Sequence, residues 1–589
     1  MLFGNYINKY YLKYLWVIII GVIALLLVDI AQLKIPEIYS TIIDGLNGKG
    51  TPLTKEILLS LCENMFLIVA VMVIGRMLWR LCFFGSAIRV VESIREKMFN
   101  HCKDLPQEYY SKNKVGGLMS LFTNDLGTIE ECFGDGILML FDAVGLGSLA
   151  ILKMFKLNKT LALLSIIPLV LLILIGFLVG RYMKTKWKER QEAFSTLSDF
   201  SQESFSGISV IKAFVKETKE LWHFKKLNKD NEKANVEFVK ASTLLHILIT
   251  LLVQSVMCLI LGYGGYLVYL TNQNEASFTI GDLIEFMSYF NSTVWPMMAI
   301  SRLIEMSSRG KASLGRISEL LDYKNNVCDK DTVIEVNDIK GSIEFKNLTF
   351  RYPETNIDVL KNVSFKINAG ENIGIIGKTG SGKTTIVDLI LRMYNVEDDS
   401  LFIDGIDVNN LPIKTVRRSI AYVPQDNFLF SDTIEANIAF AYENVNEEEV
   451  INAAILADVH DNIIDFEKGY QTILGERGVT ISGGQKQRTS IARALMKNAS
   501  ILILDDSVSA VDTKTEKIIL NNLRMTRSGK TTILIAHRIS TVQNMDKILF
   551  VDDGKILGFD THENLYNSLE EYKNMVDLQR LEEEKGGNE

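Results

Sequence analysis

One stretch of eight residues has the types and spacing that phosphate binding needs. The pattern G-x-x-x-x-G-K-[ST] is met by Gly377-Lys378-Thr379-Gly380-Ser381-Gly382-Lys383-Thr384, between the apolar run Ile373–Ile376 and a helical pattern that starts at Thr385. In a strand–loop–helix setting, the glycines let backbone N–H groups curl around the β- and γ-phosphates of a nucleotide. The lysine adds a point charge, and the threonine hydroxyl can hold Mg²⁺. The competing interpretation is a plain glycine turn before a helix, and the motifs that follow count against it.

A second feature is a carboxylate at the end of a buried strand. The apolar run Ile501–Leu504 is followed by Asp505 and then by Asp506. Such a strand delivers the first carboxylate to its tip, where it can hold Mg²⁺ on bound phosphates. Many strands end in Asp, so this pattern gains its weight from the phosphate loop upstream.

A second glycine turn opens a second helix. The turn consists of Ile481-Ser482-Gly483-Gly484-Gln485, and a helical pattern follows from Thr489 to Met496. The exposed N–H groups of a helix N-terminus favour a phosphate. One chain therefore carries two sequences suited to phosphate.

The elements that position these residues lie in the second half of a chain whose first half is apolar. The chain has 589 residues, 48% of them hydrophobic, a mean hydropathy of +0.15 and a net charge of −8. This length and apolarity exclude a single soluble domain, and no basic tail or stripe indicates nucleic acid as a partner. The six scattered cysteines form no C-x-x-C pair, so they indicate neither a disulfide framework nor a metal site.

Six candidate membrane spans occupy the first half, at about 14–35, 57–87, 133–156, 160–182, 244–270 and 280–305. Each is about long enough to cross a ~30 Å hydrocarbon core, and Pro36 is expected to kink or end the first. The connections after the second and fourth spans are long, rich in Lys and Arg, and apolar at helical spacing. We therefore expect the spans to continue as helices beyond the bilayer. The positive-inside rule places both termini and the soluble half in the cytoplasm, as in a multi-pass protein of the plasma membrane.

A polar linker at 323–340 separates the predicted membrane domain, 1–322, from the predicted soluble domain, 341–589. Short β-rich runs, such as Ile373–Ile376, Ile501–Leu504 and Thr532–Ile535, alternate there with helical patterns. That alternation predicts a largely parallel sheet with crossover helices. The expected fold is multidomain, with an all-α, six-helix transmembrane domain followed by an α/β phosphate-loop nucleotide-binding domain.

Over essentially its whole length, the sequence resembles the ATP-binding-cassette (ABC) transporters of the exporter type. The resemblance is to a half-transporter, in which one membrane domain of the type 1 exporter fold is fused to one cassette. Ser482–Gln485 resemble the family's signature, with Ile481 where Leu is usual. Gly207–Phe214 and Trp295-Pro296 resemble patterns of exporter membrane domains, and Gly475-Glu476-Arg477-Gly478 resembles the segment that touches the membrane domain.

Four single residues match further motifs of the family. They are Tyr352 for the aromatic that stacks on adenine, Gln425 for the glutamine that senses Mg²⁺, Asp512 for the D-loop Ser509–Asp512, and His537 for the switch histidine. The resemblance implies that ATP is bound by residues 377–385, Tyr352, Ser482–Gln485 and Asp512. It implies Mg²⁺ at Thr384, Gln425 and Asp505, and catalytic roles for Asp506, Gln425 and His537.

The family also implies a partner and a mechanism. Two cassettes close head to tail over two ATP molecules, so that residues of the Lys383 type in one cassette meet residues of the Ser482 type in the other. A γ-phosphate bound between two helix N-termini favours the closed state, and closure turns the pore outward. Hydrolysis resets the cycle.

Asp506 departs from the family pattern, which has Glu at this position to polarise the attacking water. One methylene fewer withdraws the carboxylate by about 1.5 Å, and a misplacement of about 1 Å at a reacting centre can cost on the order of 10²-fold in rate. We therefore expect this chain's own site to bind ATP and to hydrolyse it slowly. The pattern resembles the degenerate-site subunit of a heterodimeric bacterial multidrug exporter, whose partner is a second ABC half-transporter with the Glu. His537 is retained, which keeps a homodimer open.

The leading hypothesis is ATP-driven export of amphipathic drugs, lipids or peptides across the lipid bilayer of the plasma membrane. A homodimeric ABC exporter dedicated to a lipid or peptide cargo is an alternative. An ATP-gated regulator or channel is an alternative of another class, which Asp506 makes conceivable. Charged residues in or near the spans, among them Asp29, Arg76, Arg80 and Asp142, are candidates for cargo contact or for pairing between helices.

Overall fold

The computed structural model describes residues 4–49, 52–273, 277–330, 332–353, 355–475, 478, 480–509 and 511–586, with the side chains of 169–181, 301 and 582–586 left aside. The chain divides into two compact units. The first consists of Met1–Cys102 and Gly116–Tyr323, and the second of Lys103–Val115 and Lys324–Glu589.

Helices account for almost all of the described chain up to residue 322. In chain order they are α1 (Asn8–Lys13), α2 (Leu15–Leu46), α3 (Lys55–Asp104), α4 (Gln107–Lys112), α5 (Val115–Ser120), α6 (Leu126–Leu157), α7 (Lys159–Ser206), α8 (Ile208–Ala213), α9 (Glu217–Asn272) and α10 (Ile280–Asp322), with a π-helical turn Leu121–Asp125 between α5 and α6. Helices α3, α7 and α9 span 50, 48 and 56 residues. The expectation that the long charged connections continue the spans as helices is therefore confirmed.

Four helical segments in the described part of the chain are long and apolar enough to cross a membrane. They are Leu15–Leu46, Lys55–Asp104, Val115–Leu157 and Glu217–Asn272, and Lys159–Pro168 is a shorter apolar helical segment. The arrangement with six spans stays a prediction. Pro36 lies inside α2, which continues to Leu46, so this residue does not end the helix. A helix tolerates an internal proline where neighbouring groups satisfy the freed carbonyl.

The long helices of the first unit pack in pairs. Helix α6 lies along α10, and α7 lies along α9. Between them is an apolar cluster of fully buried side chains that includes Ala150, Leu161, Ile260, Phe286 and Phe290. Local signals start two of the helices: the Asn158 side chain accepts a hydrogen bond from Leu161 N at the start of α7, and a capping box opens α10.

The second unit contains two sheets. Its strands are β1 (Ile343–Arg351), β2 (Asp358–Ile367), β3 (Asn372–Gly377), β4 (Leu401–Ile403), β5 (Ile406–Asp407), β6 (Ile420–Val423), β7 (Ile501–Asp505), β8 (Thr531–Ile535), β9 (Lys547–Asp552) and β10 (Lys555–Asp560). One sheet has the order β10-β9-β3-β8-β7-β6, and all its pairs except β10 with β9 are parallel. This confirms the predicted parallel sheet.

The other sheet is antiparallel, with the order β2-β1-β4-β5. The sequence pattern did not predict it, because a β-rich run such as Ile343–Phe345 does not reveal which partner strand it will pair with. Phe345 and Phe365 face each other across β1 and β2, with ring centroids 4.5 Å apart.

Helices cover the parallel sheet on both faces. They are α11 (Lys383–Ile390), α12 (Ile413–Arg418), α13 (Ile434–Ile438), α14 (Glu447–Leu456), α15 (His460–Ile464), α16 (Gly483–Met496), α17 (Thr513–Thr526), α18 (Ile539–Val542), α19 (His562–Ser568) and α20 (Glu570–Gly586). Strands β3, β8 and β7 are neighbours, so their carboxyl ends lie at one edge of the sheet. In open α/β sheets this edge is where ligands bind.

Candidate functional site

The phosphate loop lies between β3 and α11, as its sequence predicts. Gly380 and Gly382 adopt φ values of +81° and +100°, which side chains other than glycine rarely adopt. A Cβ atom on Gly377 would lie 1.9 Å from the carbonyl oxygen of Val551, so no side chain fits there. The loop is therefore held in a shape that only its glycines allow, and α11 begins directly after it.

Lys383 lies along this loop. Its side chain is 7% exposed, and Nζ donates to the carbonyl oxygens of Gly377 (2.9 Å) and Lys378 (2.8 Å). Burial lowers the pKa of Lys383, and the charges of Asp505 and Asp506 act against that shift. Lys378 points elsewhere and pairs with Asp552 at 3.1 Å.

Asp505 ends β7 beside the loop, as predicted. It is 1% exposed, and its Oδ2 atom has no hydrogen-bond partner in the described part of the chain. Burial raises its pKa, and a hydrogen bond with Thr384 acts in the opposite direction. This buried carboxylate oxygen accepts no hydrogen bond in the described chain, and a threonine hydroxyl lies next to the carboxylate. Such a pair of oxygen ligands suits a hard divalent cation.

The backbone of Asp506 is held in place by three hydrogen bonds. It has a φ of +48°, its N–H donates to Ile535 O (3.0 Å), and its carbonyl accepts from Gln487 Nε2 (3.2 Å) and Ser509 Oγ (2.9 Å). The side chain is 14% exposed, and Oδ2 lies 4.0 Å from His537 Nε2. The structure thus brings together Asp506 and His537, two of the three residues for which the family resemblance implies catalytic roles.

Tyr352 is half-buried against the helix that follows the loop. Its hydroxyl lies 3.0 Å from Thr385 Oγ1 and donates to Asp388 Oδ2 at 3.4 Å. Burial raises the pKa of Tyr352 to about 12. Burial, followed by the nearby charge of Asp505, raises the pKa of Asp388 to about 6. An aromatic side chain is therefore anchored next to the phosphate loop, where the predicted adenine contact requires it.

The second glycine turn forms the N-terminus of α16. Ser482 Oγ accepts from Gln485 N (3.2 Å), and Gln485 Oε1 accepts from Ser482 N (3.0 Å), which is a complete capping box. Gly483 and Gly484 follow in the first turn. Among the described residues, no hydrogen bond or ion pair joins Ser482–Gln485 to the phosphate loop. The contact of this helix start with a phosphate stays a prediction.

The remaining predicted residues lie at the ends of neighbouring elements. Gln425 is exposed just after β6. Asp512 caps α17 by accepting from the N–H groups of Lys514 (3.1 Å) and Thr515 (3.0 Å), and these hydrogen bonds lower its pKa. Glu476 and Arg477 of the Gly475–Gly478 segment and Ala510 of the D-loop lie outside the described residues.

Three residues at this site were missed by sequence reasoning. Gln487 holds the Asp506 carbonyl, Asp388 accepts from Tyr352, and Gln579 of α20 bonds to the backbone on both sides of Arg538. Gln487 and Asp388 each lie one helical turn after a predicted residue, at i+4 from Gly483 and i+4 from Thr384. That spacing was the available signal for both.

Comparison with known proteins agrees with this geometry. A protein-family model described as "ABC transporter transmembrane region" matches residues 18–297. A second family model, described as "ABC transporter", matches residues 360–509. The chain is 36% identical to the probable multidrug resistance ABC transporter ATP-binding/permease protein YheI of Bacillus subtilis, over 98% of this chain and 97% of that protein. The chain belongs to the ABC exporter family. With one membrane region and one cassette, it is an exporter half-transporter and an ATP-driven transport ATPase.

Two other ABC proteins are similar over most of their length. The multidrug resistance-like ATP-binding protein MdlA of Escherichia coli is 34% identical, over 98% of this chain and 96% of that protein. The ATP-dependent lipid A-core flippase of Syntrophus aciditrophicus is 33% identical, over 86% of this chain and 82% of that protein. A bacterial Atm1-family ABC exporter solved with ATP bound has the same fold, with a TM-score of 0.75, 24% identity, and coverage of 97% of this chain and 98% of that one.

Proposed function

We propose that this exporter is one subunit of a heterodimer, and that its own ATP site hydrolyses slowly. The observation that carries the proposal is Asp506, where the family has Glu. The Asp506 backbone is held at three points, by Ile535, Gln487 and Ser509, so it has little freedom to advance its shorter side chain. A carboxylate withdrawn by about 1.5 Å is expected to slow activation of water on the order of 10²-fold.

We expect ATP binding to be intact, and the geometry of the phosphate loop and of Tyr352 supports this expectation. Lys383 and the glycine loop supply charge and N–H groups to the phosphates, and the anchored ring of Tyr352 supplies a surface for adenine. When bound, Mg²⁺ would neutralise phosphate charge. We propose that Mg²⁺ would be held by Thr384, Asp505 and Gln425. The Asp505 Oδ2 atom, which has no hydrogen-bond partner in the described chain, supports this set of ligands.

The arrangement of the signature supports a two-chain site. Ser482–Gln485 form an intact capped helix start whose first N–H groups could bind a phosphate. In a head-to-tail pair this helix start would contact the ATP bound by the partner. A slow ATP site in this chain would then be coupled to a competent ATP site in the partner.

We also propose that the cassette and both termini lie in the cytoplasm, in line with the positive-inside rule.

For the cargo, we propose amphipathic compounds, and a cavity of about 500 Å³ in the first unit supports this. It lies between α2, α3, α6 and α10, and its lining combines aliphatic residues with Asp29, Asp142, Arg76, Arg80, Trp79 and Trp295. Trp295 Nε1 donates to Asp142 Oδ2 at 2.8 Å, whereas Asp29 is 2% exposed and its Oδ2 has no partner in the described chain. Charged groups in a membrane segment are costly and usually serve function. YheI and MdlA are named for multidrug resistance and another relative for lipid A-core flipping, which also agrees with amphipathic cargo.

Native mass spectrometry tests the proposed assembly. The chain would be tagged, extracted gently from its native membrane, and weighed as an intact complex. Two different half-transporters of similar mass, the second with Glu after its metal-binding Asp, are the expected result. A complex of two copies of this chain that turns over ATP at ordinary exporter rates would contradict the proposal and favour the homodimeric exporter.

A transport assay separates export from the remaining alternative. Vesicles containing the complex are expected to accumulate amphipathic dyes against a gradient only when ATP is hydrolysed. Passive flux that is opened by ATP, with no accumulation, would instead identify an ATP-gated channel.

A further inference from the structure

The switch segment His537–Ile539 contacts the C-terminal helix through one side chain. Gln579 Nε2 of α20 donates to the His537 carbonyl at 2.8 Å, and Gln579 Oε1 accepts from Ile539 N–H at 2.8 Å. The carboxamide therefore spans Arg538 as a neighbouring β-strand would, bonding the C=O of one residue and the N–H of the second residue after it. This pairing restricts the two peptide planes that flank Arg538, and the first of these planes also flanks the Cα atom that carries the His537 ring.

The start of α18 lacks a capping hydrogen bond from its own N-cap side chain. Arg538 is the N-cap of α18, and its side chain makes no capping hydrogen bond, so the first N–H groups of that helix lack an internal partner. Gln579 Oε1 supplies the partner for the first of them. On the other side of Arg538, His537 has a side chain that is 41% exposed and lies 4.0 Å from Asp506.

The helix that carries Gln579 is firmly anchored. Tyr572 and Val576 are 0% and 1% exposed in the core beneath the sheet, and Gln579 follows at i+7 and i+3 on the same helical face. The Tyr572 hydroxyl lies 2.8 Å from His562 Nδ1, and its ring packs against Phe550 at 5.5 Å. A rigid helix therefore presents one polar side chain to the switch.

We infer that Gln579 is a positioning residue for ATP hydrolysis, and that α20 supports the hydrolytic site through this side chain. Gln579 acts through His537, by holding the backbone that aims the imidazole at the space beside Asp506. The inference rests on the catalytic role that the family resemblance implies for His537 and on the proposed function. It predicts that loss of the carboxamide lowers the turnover of ATP and leaves its binding intact, because Lys383 and Tyr352 are untouched.

The main test uses Gln579→Leu, which keeps the volume and removes both hydrogen bonds. Amide hydrogen exchange of residues 536–542 in the full-length complex is expected to speed up about tenfold or more, because the Ile539 N–H loses its acceptor. In the same complex, kcat for ATP is expected to fall about tenfold, with KM for ATP changed less than about twofold. Because this chain's own turnover is expected to be slow, the kinetics are repeated in the Asp506→Glu background.

Three further variants distinguish positioning from general stability. Gln579→Glu keeps the acceptor for Ile539 N–H and loses the donor to His537, so kcat is expected to fall although exchange at residue 539 changes little. Val576→Ala weakens the anchoring of α20 in the core and is expected to lower the melting temperature without changing kcat per folded molecule. Leu578→Ala, at a side chain that is 62% exposed, is expected to change neither quantity.

The results separate this inference from the proposed function. Unchanged exchange at residues 536–542 in Gln579→Leu, or a kcat loss that only follows the melting temperature across all variants, would overturn the role of Gln579. A homodimer with fast hydrolysis would contradict the proposed asymmetry, and the exchange result would still decide the role of Gln579.

Discussion

At the scale of single residues, the proposed slow hydrolysis of ATP depends on Asp506. Its backbone is held at three points, and its carboxylate stays 4.0 Å from the switch histidine. A side chain longer by one methylene would extend from the same fixed backbone. We therefore attribute the proposed slow hydrolysis to the reach of one carboxylate.

We expect Asp506→Glu to raise ATP turnover at this site by about 10- to 100-fold, because the longer side chain places its carboxylate about 1.5 Å further out. Steady-state phosphate release by the purified complex measures the change. Asp506→Asn is the matched control, which keeps the length and removes the base, and it is expected to abolish what turnover remains. Equal rates for wild type and Asp506→Glu would show that Asp506 already acts as an adequate base.

A second residue-scale prediction concerns the pKa of Asp388, which burial and then Asp505 raise from 3.8 to about 6. Because the folded-state pKa lies above the unfolded one, the folded domain binds more protons between about pH 4 and pH 6. Its stability therefore falls as the pH rises through that window. Above pH 6 the penalty is at most about 3 kcal/mol.

We therefore expect Asp388→Asn to raise the free energy of unfolding by about 1–3 kcal/mol at pH 7.5, since the amide still accepts from the Tyr352 hydroxyl. The gain should shrink as the pH is lowered from 6 towards 4. Thermal unfolding across this pH range measures it. Asp461→Asn, at an exposed position, is the control for the loss of one surface carboxylate. A constant gain for Asp388→Asn would contradict the assigned pKa.

At the scale of elements, Ser482 at the start of α16 has one structural role and one proposed functional role. Ser482 closes a capping box with Gln485, and the same helix terminus is the proposed contact for the partner's phosphate. Its helix also holds Asp506 through Gln487. A change at the cap can therefore affect both stability and the site across the interface.

We expect Ser482→Ala to lower the stability of the soluble unit by about 1 kcal/mol and to lower hydrolysis at the partner's site. ATP affinity at this chain's own site should be unchanged. Binding of a fluorescent ATP analogue and phosphate release, measured on the same preparation, distinguish the two effects. Ser482→Thr keeps a capping hydroxyl and should restore most of the stability. Loss of ATP binding at this chain's own site in Ser482→Ala would contradict the two-chain arrangement.

At the scale of the whole molecule, the first unit must select cargo while the second binds ATP. The charged cavity contains a buried carboxylate, Asp29, whose Oδ2 atom has no donor in the described chain. Asp29 is also hydrogen-bonded to Asp142, and together these two acidic side chains could attract a cargo with a cationic N–H group. The proposed amphipathic cargo would then be sorted by charge as well as by apolar area.

We expect Asp29→Asn to reduce ATP-driven accumulation of a cationic amphipathic dye by about tenfold, which corresponds to one lost charge-assisted hydrogen bond of about 1.4 kcal/mol. Accumulation of an uncharged dye of similar size should change little. Glu305→Gln, at a side chain that is 71% exposed, is the matched control. Equal losses for both dyes would indicate that Asp29 stabilises the helices and does not select cargo.

Much of this protein could be predicted from local sequence. The phosphate loop, the capped start of α16 and the strand that delivers Asp505 each lie within a few consecutive residues, where glycine conformations, caps and apolar runs act at short range. The apolar helices and the parallel sheet were predictable for the same reason, since their signals repeat along the chain. Asp506 was also visible, because a motif defines the position that it occupies.

Contacts between distant segments were decided only by the tertiary structure. Gln579 bonds to His537, which lies 42 residues earlier, and Trp295 bonds to Asp142, which lies 153 residues earlier. Strand β1 pairs with β2 and β4 in a sheet that the periodicity of the sequence did not predict. The physical reason is that a single polar side chain carries no repeating pattern, and its partner is chosen by the packing of whole helices and strands. The amino-acid sequence thus determined which chemistry this exporter carries, and the folded chain decided which residues aim and restrain it.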